Sequence, residues 1–230
     1  MDQVSSQHAD FGWLHFVARS GDEGSRWAEH YRQFEALEQL STRSLLLLRR
    51  GDVLRGYELL EELGEAIRTV VSADPSIRSV LERWYYGVLG YYFYCIDRSD
   101  EAEDAMVQAH RAVTAAIGTR LFLLPLANHC HEFRLHRARI ARNRLRWEQM
   151  QVHVEEARAM MAGVVPFCVL NDGSPVRIAE VCAFYAAIPS LTDAERDSLA
   201  GLLNDEVRLR GFEQFVNSMY RVPGFVIPYP

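Results

Sequence analysis

The sequence predicts an all-α protein, an array of antiparallel helical hairpins with lengthened helices that is followed by a C-terminal helical cap. Two observations predict this class. Apolar residues recur at helical spacing along most of the chain, and no segment shows the strict alternation of a half-buried strand. Small residues also stand where two helix axes must approach each other, above all Gly90 and Ala102 near the centre. We therefore expect one structural domain built from paired helices.

Turn-forming residues divide this domain into three parts. Within residues 1–24, an apolar group of Phe11, Trp13, Leu14, Phe16 and Val17 precedes a break of Ser, Gly and acidic residues, which predicts an N-terminal arm or a short helix. Residues 25–163 predict the three helical hairpins. Residues 164–230 predict a loop, C-terminal helices and an extended tail, because the last nine residues include three prolines.

Glycine, proline and acidic residues mark the ends of the hairpin helices. Pro75 ends the first hairpin, and Ser76 is expected to cap the helix that follows. Pro125 fits the first turn of a later helix, and Gly163 ends the last one. The first predicted helix pair is 26–50 with 53–71, and the third is 125–144 with 147–162. The second pair lies on either side of the turn at 97–100, and its second helix ends at Gly118.

The C-terminal part is predicted from similar signals. The segment 164–175 mixes apolar residues with turn residues and is expected to be a loop. A helix is predicted over 176–188, stopped by Pro189. A capping-box pattern over 192–195 predicts the start of a further long helix, and the tail from Val222 is expected to be extended.

The central hairpin carries a spacing of known type. It reads Tyr86-x-x-Leu89-Gly90-x-x-Phe93 and then Ala102-x-x-x-Met106-x-x-Ala109. Over residues 83–116 this resembles the tetratricopeptide repeat, which has an aromatic residue, Leu-Gly, a second aromatic residue, and then Ala, a large apolar residue and Ala. Residues of similar size recur 46 residues earlier and 48 residues later in the chain. This period is longer than the ~34 residues of that family, so each helix gains a turn or two. An irregular bundle with small residues recurring by chance is the alternative.

The resemblance implies that the first helix of each hairpin lines a concave groove that binds a peptide or a partner protein. Mapping the groove positions onto this chain gives Glu38, Thr42 and Arg49 in the first hairpin, Trp84, Tyr91 and Tyr94 in the second, and Glu132, His136, Arg139, Arg142 and Asn143 in the third.

A helical wheel of the third hairpin's first helix supports a polar stripe independently of the resemblance. Its apolar side is expected to hold Phe133, Ala138, Ala141 and Leu145, and its polar arc His129, Glu132, His136 and Asn143. The polar arc is either a solvated face or a ligand stripe. Six arginines between 134 and 146 either pair with acidic helices or hold an anionic ligand through two hydrogen bonds, so the partner could be acidic.

Composition limits the chemistry. The net charge of −6 makes nucleic acid an unlikely partner, and no apolar run approaches the ~20 residues that span a bilayer. All 25 basic residues are arginine. The absence of lysine excludes a phosphate-binding loop of the Walker type, a kinase-type lysine and any Schiff-base lysine.

No complete catalytic set is present, so we assign no catalytic residue and expect no cofactor. His129, Glu132 and His136 have helical spacing for one metal ion, but no second cluster faces them, and no metal is expected. Four scattered cysteines without a C-x-x-C pair indicate reduced thiols in the cytoplasm.

The predicted function is therefore a non-enzymatic interaction protein that binds a peptide or partner protein, with a homodimer left open. The alternative is an all-α small-molecule-binding protein or enzyme with a pocket around Glu132, His136 and Arg139 that the 164–175 loop closes. Glu132 and His136 would then act as acid–base residues, and Arg139 would hold an anion.

Overall fold

The computed structural model describes residues 31–70, 75–115, 123–170, 173–187, 192–194, 213–214, 216–217, 221–222 and 225–226. Within them the chain is helical almost throughout, which confirms the all-α array of helical hairpins. The N-terminal arm, the closing Gly118 and most of the long helix predicted after residue 192 lie outside the described residues.

Seven helices are described. In chain order they are α1 (Tyr31–Arg49), α2 (Val53–Thr69), α3 (Pro75–Cys95), α4 (Ser99–Ala115), α5 (Leu123–Asn143), α6 (Trp147–Met161) and α7 (Ile178–Ala186). The predicted ends are correct to within about two residues at most of these positions. One predicted start is wrong, because α3 begins at Pro75. Proline has no backbone N–H, but the N–H groups of a first helical turn have no partner within the helix, so proline is tolerated there. Ser76 therefore lies inside the first turn rather than before it.

In the described part of the chain, four two-residue strands accompany the helices, although the sequence predicts none. β1 (Cys168–Val169) pairs antiparallel with β2 (Pro175–Val176), so the segment predicted as a loop is a small β-hairpin. β3 (Arg221–Val222) pairs antiparallel with β4 (Phe225–Val226), so the few described residues of the tail are extended as predicted. Strands of this length are too short to show an alternating pattern, which explains why the sequence does not reveal them.

The chain divides into two compact units. One holds Met1–His129 with Ile188–Ser190, and the other holds Cys130–Ala187 with Leu191–Pro230. The boundary falls inside α5, where no change of composition marks it. In the first unit α1 contacts α2 and α3, α2 contacts α3, and α3 contacts α4.

The second unit is built around the pair α5 and α6. Its buried cluster takes small and large apolar residues from both helices and one residue from near the chain end, and Trp147 packs against it. The members are Leu135, Ala138, Ala141, Met150, Val154, Ala157, Met161 and Val216. In the same unit α7 contacts β2.

The three hairpins close through loops of one geometry. Each loop has three residues, and its second residue has a positive φ: 83° at Gly51, 58° at Asp97 and 57° at Leu145. The N–H of that residue bonds the carbonyl three residues earlier, at 3.1, 3.3 and 2.9 Å. The N–H of the third loop residue bonds the carbonyl five residues earlier, at 3.0, 2.9 and 2.9 Å. This is the Schellman arrangement, which satisfies carbonyls at the end of a helix.

Four positions aligned by the 46- and 48-residue offsets are buried in every hairpin, whereas the position of Tyr86, which aligns with Leu40 and Arg134, is half-buried in each. At the central crossing, a Cβ added to Gly90 would overlap Met106 and lie 3.3 Å from the carbonyl oxygen of Ala102, which confirms the predicted contact. In the first hairpin the Ser44 hydroxyl donates to the Gly56 carbonyl at 2.6 Å. The full set is Ser44, Gly56, Leu60 and Leu63, then Gly90, Ala102, Met106 and Ala109, then Ala138, Met150, Val154 and Ala157.

Candidate functional site

The predicted groove residues of the first hairpin differ in exposure. Glu38 is only 9% exposed, so it does not lie on an open surface. It follows Leu37, which is 5% exposed, and both lie on the side of α1 that the first unit buries. Thr42 is half-buried and Arg49 is exposed. Of the three positions that the resemblance assigns to the groove in this hairpin, Arg49 is therefore the most accessible and Glu38 the least.

The aromatic residues of α3 are partly buried. The ring of Trp84 meets the buried ring of Phe34 edge-on, with centroids 6.1 Å apart, so this tryptophan belongs to the contact between α1 and α3. Tyr91 and Tyr94 lie one turn apart and their rings pack at 5.9 Å and 30°. Both rings are half-buried, which leaves part of each available to a partner.

A histidine and arginine cluster joins α3, α4 and the start of α5 within the first unit. His129 is 6% exposed and stacks on His110 at 5.7 Å and 19°. Arg83 Nε donates to His129 Nδ1 at 3.3 Å, so this nitrogen carries no proton. Of the two interpretations of the polar arc, a solvated face does not hold at His129, because α4 packs against that part of the helix.

The five predicted residues of α5 belong to the second unit. Glu132 and Asn143 are exposed, and His136, Arg139 and Arg142 are half-buried. Arg142 Nη2 donates to Asn143 Oδ1 at 3.4 Å. Phe133, Ala138 and Ala141 are buried as predicted. Leu145 is not, because it lies in the hairpin loop, where 70% of its surface is exposed.

Some arginines of this region have structural roles. Arg134 Nε lies 3.2 Å from Glu156 Oε2 of α6, as the ion-pair interpretation predicts. Arg134 and Arg137 also stand over the ring of Phe133, at 5.6 and 5.8 Å from its centroid. These contacts fix one edge of α5 against its own hairpin.

The same carboxylate contacts a buried histidine. His153 Nδ1 lies 3.5 Å from Glu156 Oε2. Burial lowers the pKa of His153, the nearby Arg137 lowers it further, and Glu156 opposes them by raising it. Because His153 is buried, the neutral ring is the favoured form in the folded chain.

One thiol of the β-hairpin in the second unit has a shifted pKa. Hydrogen bonding from Cys130 of α5 lowers the pKa of Cys168 in β1, and burial opposes that shift. Helical spacing turns Glu132, His136 and Arg139 about 180° to 240° around the axis from Cys130. The buried Cys130 therefore lies on the side of α5 away from those three residues.

Two further features of the described part of the chain bear on function. No group of three or more His, Cys, Asp or Glu side chains within it could hold a metal ion. None of its helices combines the length and apolar character that crossing a membrane requires.

Comparison with protein-family models finds no matching family, and comparisons with curated proteins and with solved structures find no match. The geometry of the site therefore carries the functional argument alone.

The sequence gives no sign of the His110 and His129 stack. The two histidines lie in different helices and have no recognisable spacing. Only the repeated hairpin positions have a signal in the sequence, since they recur at fixed offsets.

Proposed function

We propose that this chain is a non-enzymatic interaction protein that binds an acidic peptide or an acidic segment of a partner protein on the first helices of its hairpins. One observation carries the proposal: three hairpins share the same loop hydrogen bonds and the same buried positions at offsets of 46 and 48 residues. Arrays of one repeated hairpin form extended surfaces that proteins use for binding. This also supports the tetratricopeptide-like interpretation.

In the first unit the binding surface would be aromatic. α1 and α3 are in contact, so the first helices of two successive hairpins are neighbours. The half-buried Tyr91 and Tyr94 pair would supply a rigid apolar surface with two hydroxyl groups. Thr42 and Arg49 of α1 would add polar contacts beside it.

In the second unit the binding surface would be charged. Arg139 and Arg142 are one helical turn apart on α5, and His136 lies one turn before Arg139. Arginine can hold a carboxylate through two hydrogen bonds, which favours an acidic ligand. His136 could donate or accept a hydrogen bond beside it.

The proposal is tested by panning a displayed random-peptide library against the full chain, then measuring enriched peptides by calorimetry. We expect enrichment of Asp and Glu. Arg139→Ala should weaken binding about 10- to 100-fold, the range for a lost hydrogen bond to a charged group. Arg68→Ala is the matched control, because Arg68 is an exposed arginine on a second helix, paired with Glu65. It should leave binding unchanged.

Melting temperatures of the same variants separate binding from structure. Arg139→Ala should melt close to the Arg68→Ala control. A large loss of stability with unchanged binding would make Arg139 a structural partner and contradict its role here. Failure to enrich any peptide, together with a small molecule retained in native mass spectrometry, would favour the small-molecule or enzyme alternative.

A further inference from the structure

All but one of the glycines in the described part of the chain have a structural reason. Three stand in turns at positive φ, which residues with a side chain disfavour; they are Gly51, Gly163 and Gly173. Three lie where helices touch, so that an added Cβ would come within 3.0 Å of a side chain of the neighbouring helix; they are Gly56, Gly64 and Gly90. Gly87 has neither reason, because it lies within α3 and a Cβ added to it would meet nothing within 4 Å.

Gly87 weakens the helix that contains it. A glycine inside a helix disfavours the folded state about four- to fivefold relative to alanine, because its backbone loses more freedom on folding. Since α3 runs from Pro75 to Cys95, Gly87 is more than one turn from either end and caps neither. The fold alone would therefore favour alanine at this position, and a use for glycine must come from a contact with another molecule.

Large aromatic side chains flank Gly87 on the same side of α3. Trp84 precedes it by three residues, and Tyr91 and Tyr94 follow by four and seven, which places all four residues within an arc of about 80°. The ring of Trp84 meets Phe34 of α1 at 6.1 Å, and the rings of Tyr91 and Tyr94 pack at 5.9 Å. All four positions on α3 are half-buried. Gly87 thus forms the floor of a depression between larger residues, the Gly87 notch.

The length of the Gly87 notch selects the shape of a ligand. Trp84 and Tyr91 are seven residues apart, which corresponds to ~10.5 Å along the helix axis. A second α-helix with its side chains is ~10–12 Å across, whereas an extended chain lies only ~4.8 Å from its neighbour in a sheet. Because the aromatic side chains occupy part of the interval, an extended chain fits between them and a helix does not.

We infer that the Gly87 notch is the point of closest approach of the ligand, where the main chain of an extended acidic peptide crosses α3 between Trp84 and Tyr91. This inference rests on the proposed function, which supplies the acidic peptide. It adds the conformation of the bound segment and the residue that admits it. Gly87 is a positioning residue, because a side chain there would hold the peptide away from the aromatic rings on either side.

The test pans a displayed random-peptide library in parallel against the full parent chain, Gly87→Leu and Arg78→Leu. Arg78 is the matched control, because it lies on the same helix about 180° from Gly87 and its side chain is 75% exposed. The parent and Arg78→Leu should enrich the same acidic peptides, and Gly87→Leu should not. In calorimetry with an enriched peptide, Gly87→Leu should weaken binding about 10- to 100-fold and Gly87→Ala about three- to tenfold.

Melting temperatures show whether the loss of binding is a structural effect. Gly87→Ala and Gly87→Leu should melt at or above the temperature of the parent, because both residues favour a helix more than glycine does. Weaker binding by an equally or more stable chain would support a direct role for the notch. If Gly87→Leu melts below the parent, Gly87→Ala decides, since it adds a single methyl group into open space.

The remaining outcomes separate this inference from the proposed function. Equal binding by the parent, Gly87→Ala and Gly87→Leu would overturn the inference while the proposed function stands. Failure of the parent itself to enrich any peptide would contradict both. A gain of helical circular dichroism on binding, beyond the sum of peptide and protein alone, would show a helical ligand and overturn the extended conformation.

Discussion

The first and third hairpins reach the same loop geometry with opposite residues. The first uses Gly51 at the positive-φ position and Asp52 at the helix N-cap, where its carboxylate accepts from the Arg55 N–H at 3.4 Å. The third uses Leu145, which disfavours a positive φ, and Arg146, which makes no side-chain cap. Since both loops make the same backbone hydrogen bonds, the packed helices impose the loop shape and the loop residues merely tolerate it.

The helix crossings of these two hairpins also use residues of different chemistry. In the first, a buried hydroxyl on Ser44 bonds the Gly56 carbonyl across the crossing. In the third, Ala138 and Met150 meet in an apolar cluster and both are fully buried. The helices approach closely at both crossings, but the side-chain interaction at the point of approach differs between the two hairpins. The size of the crossing residue is therefore the property that the fold requires.

The second hairpin offers the strongest test of that requirement. Gly90→Leu should destabilise the chain by about 1–3 kcal/mol, because the added side chain must displace Met106 and approach the Ala102 carbonyl. Urea denaturation measures the free energy of unfolding. Gly87→Leu is the control in the same helix, since a Cβ there meets nothing within 4 Å. It should be neutral or stabilising by up to about 1 kcal/mol, the gain in helix propensity. Equal losses in both variants would show that size at the crossing does not matter.

The loops give a smaller effect of opposite sign. Replacing Leu145 with Gly and Arg146 with Asp, the residues of the first loop, should stabilise the chain by about 1 kcal/mol. Leu145 has 70% of its surface exposed, so its removal leaves no cavity. Gly51→Leu should destabilise by a similar amount, since φ there is 83°. Thermal melts compare the variants, and a loss of stability in the third-loop variant would mean that the loop residues do shape the hairpin.

The smallest expected effect is a pH dependence confined to the third hairpin. The pKa of His153 is lowered by burial and by Arg137, so below its unfolded pKa of about 6.5 the unfolded chain binds a proton that the folded chain does not. Its contribution to stability is therefore full above that pH and is lost as the pH falls toward the folded pKa. Urea midpoints at pH 7.5, 6.5 and 5.5 should fall less for His153→Gln than for the parent. Parallel midpoints would exclude this residue as the source.

Sequence reasoning identifies the hairpins because their signals are local or periodic. Helical spacing, turn residues and small crossing residues predict the paired helices and the contact between Gly90 and Ala102. The errors have tertiary causes. Leu145 continues the apolar stripe of α5 on a helical wheel, but α5 ends at Asn143. Leu145 therefore lies in the turn, where its side chain is exposed to solvent.

The candidate site was less predictable for the same reason. The resemblance assigns Glu38 to a groove and the helical wheel assigns His129 to a polar arc, yet both residues are buried. The stack of His110 on His129 depends on how α4 packs against α5, which no spacing in the chain records. Exposure of Glu132 and Asn143 on α5 is the part of the stripe that the wheel predicts correctly.

Arg177 joins the end of one helix to the start of the next. Its guanidinium binds the carbonyls of Gly163 and Val164, and its own N–H donates to the Glu180 carboxylate at 2.8 Å. This has a consequence for cutting the chain. A fragment of the third hairpin that ends at residue 163 would lose the donor that satisfies those carbonyls, so it should extend through Glu180. Brief tryptic digestion of the folded chain should likewise spare the bond after Arg177 while cutting at exposed arginines, since its side chain is already held by the protein.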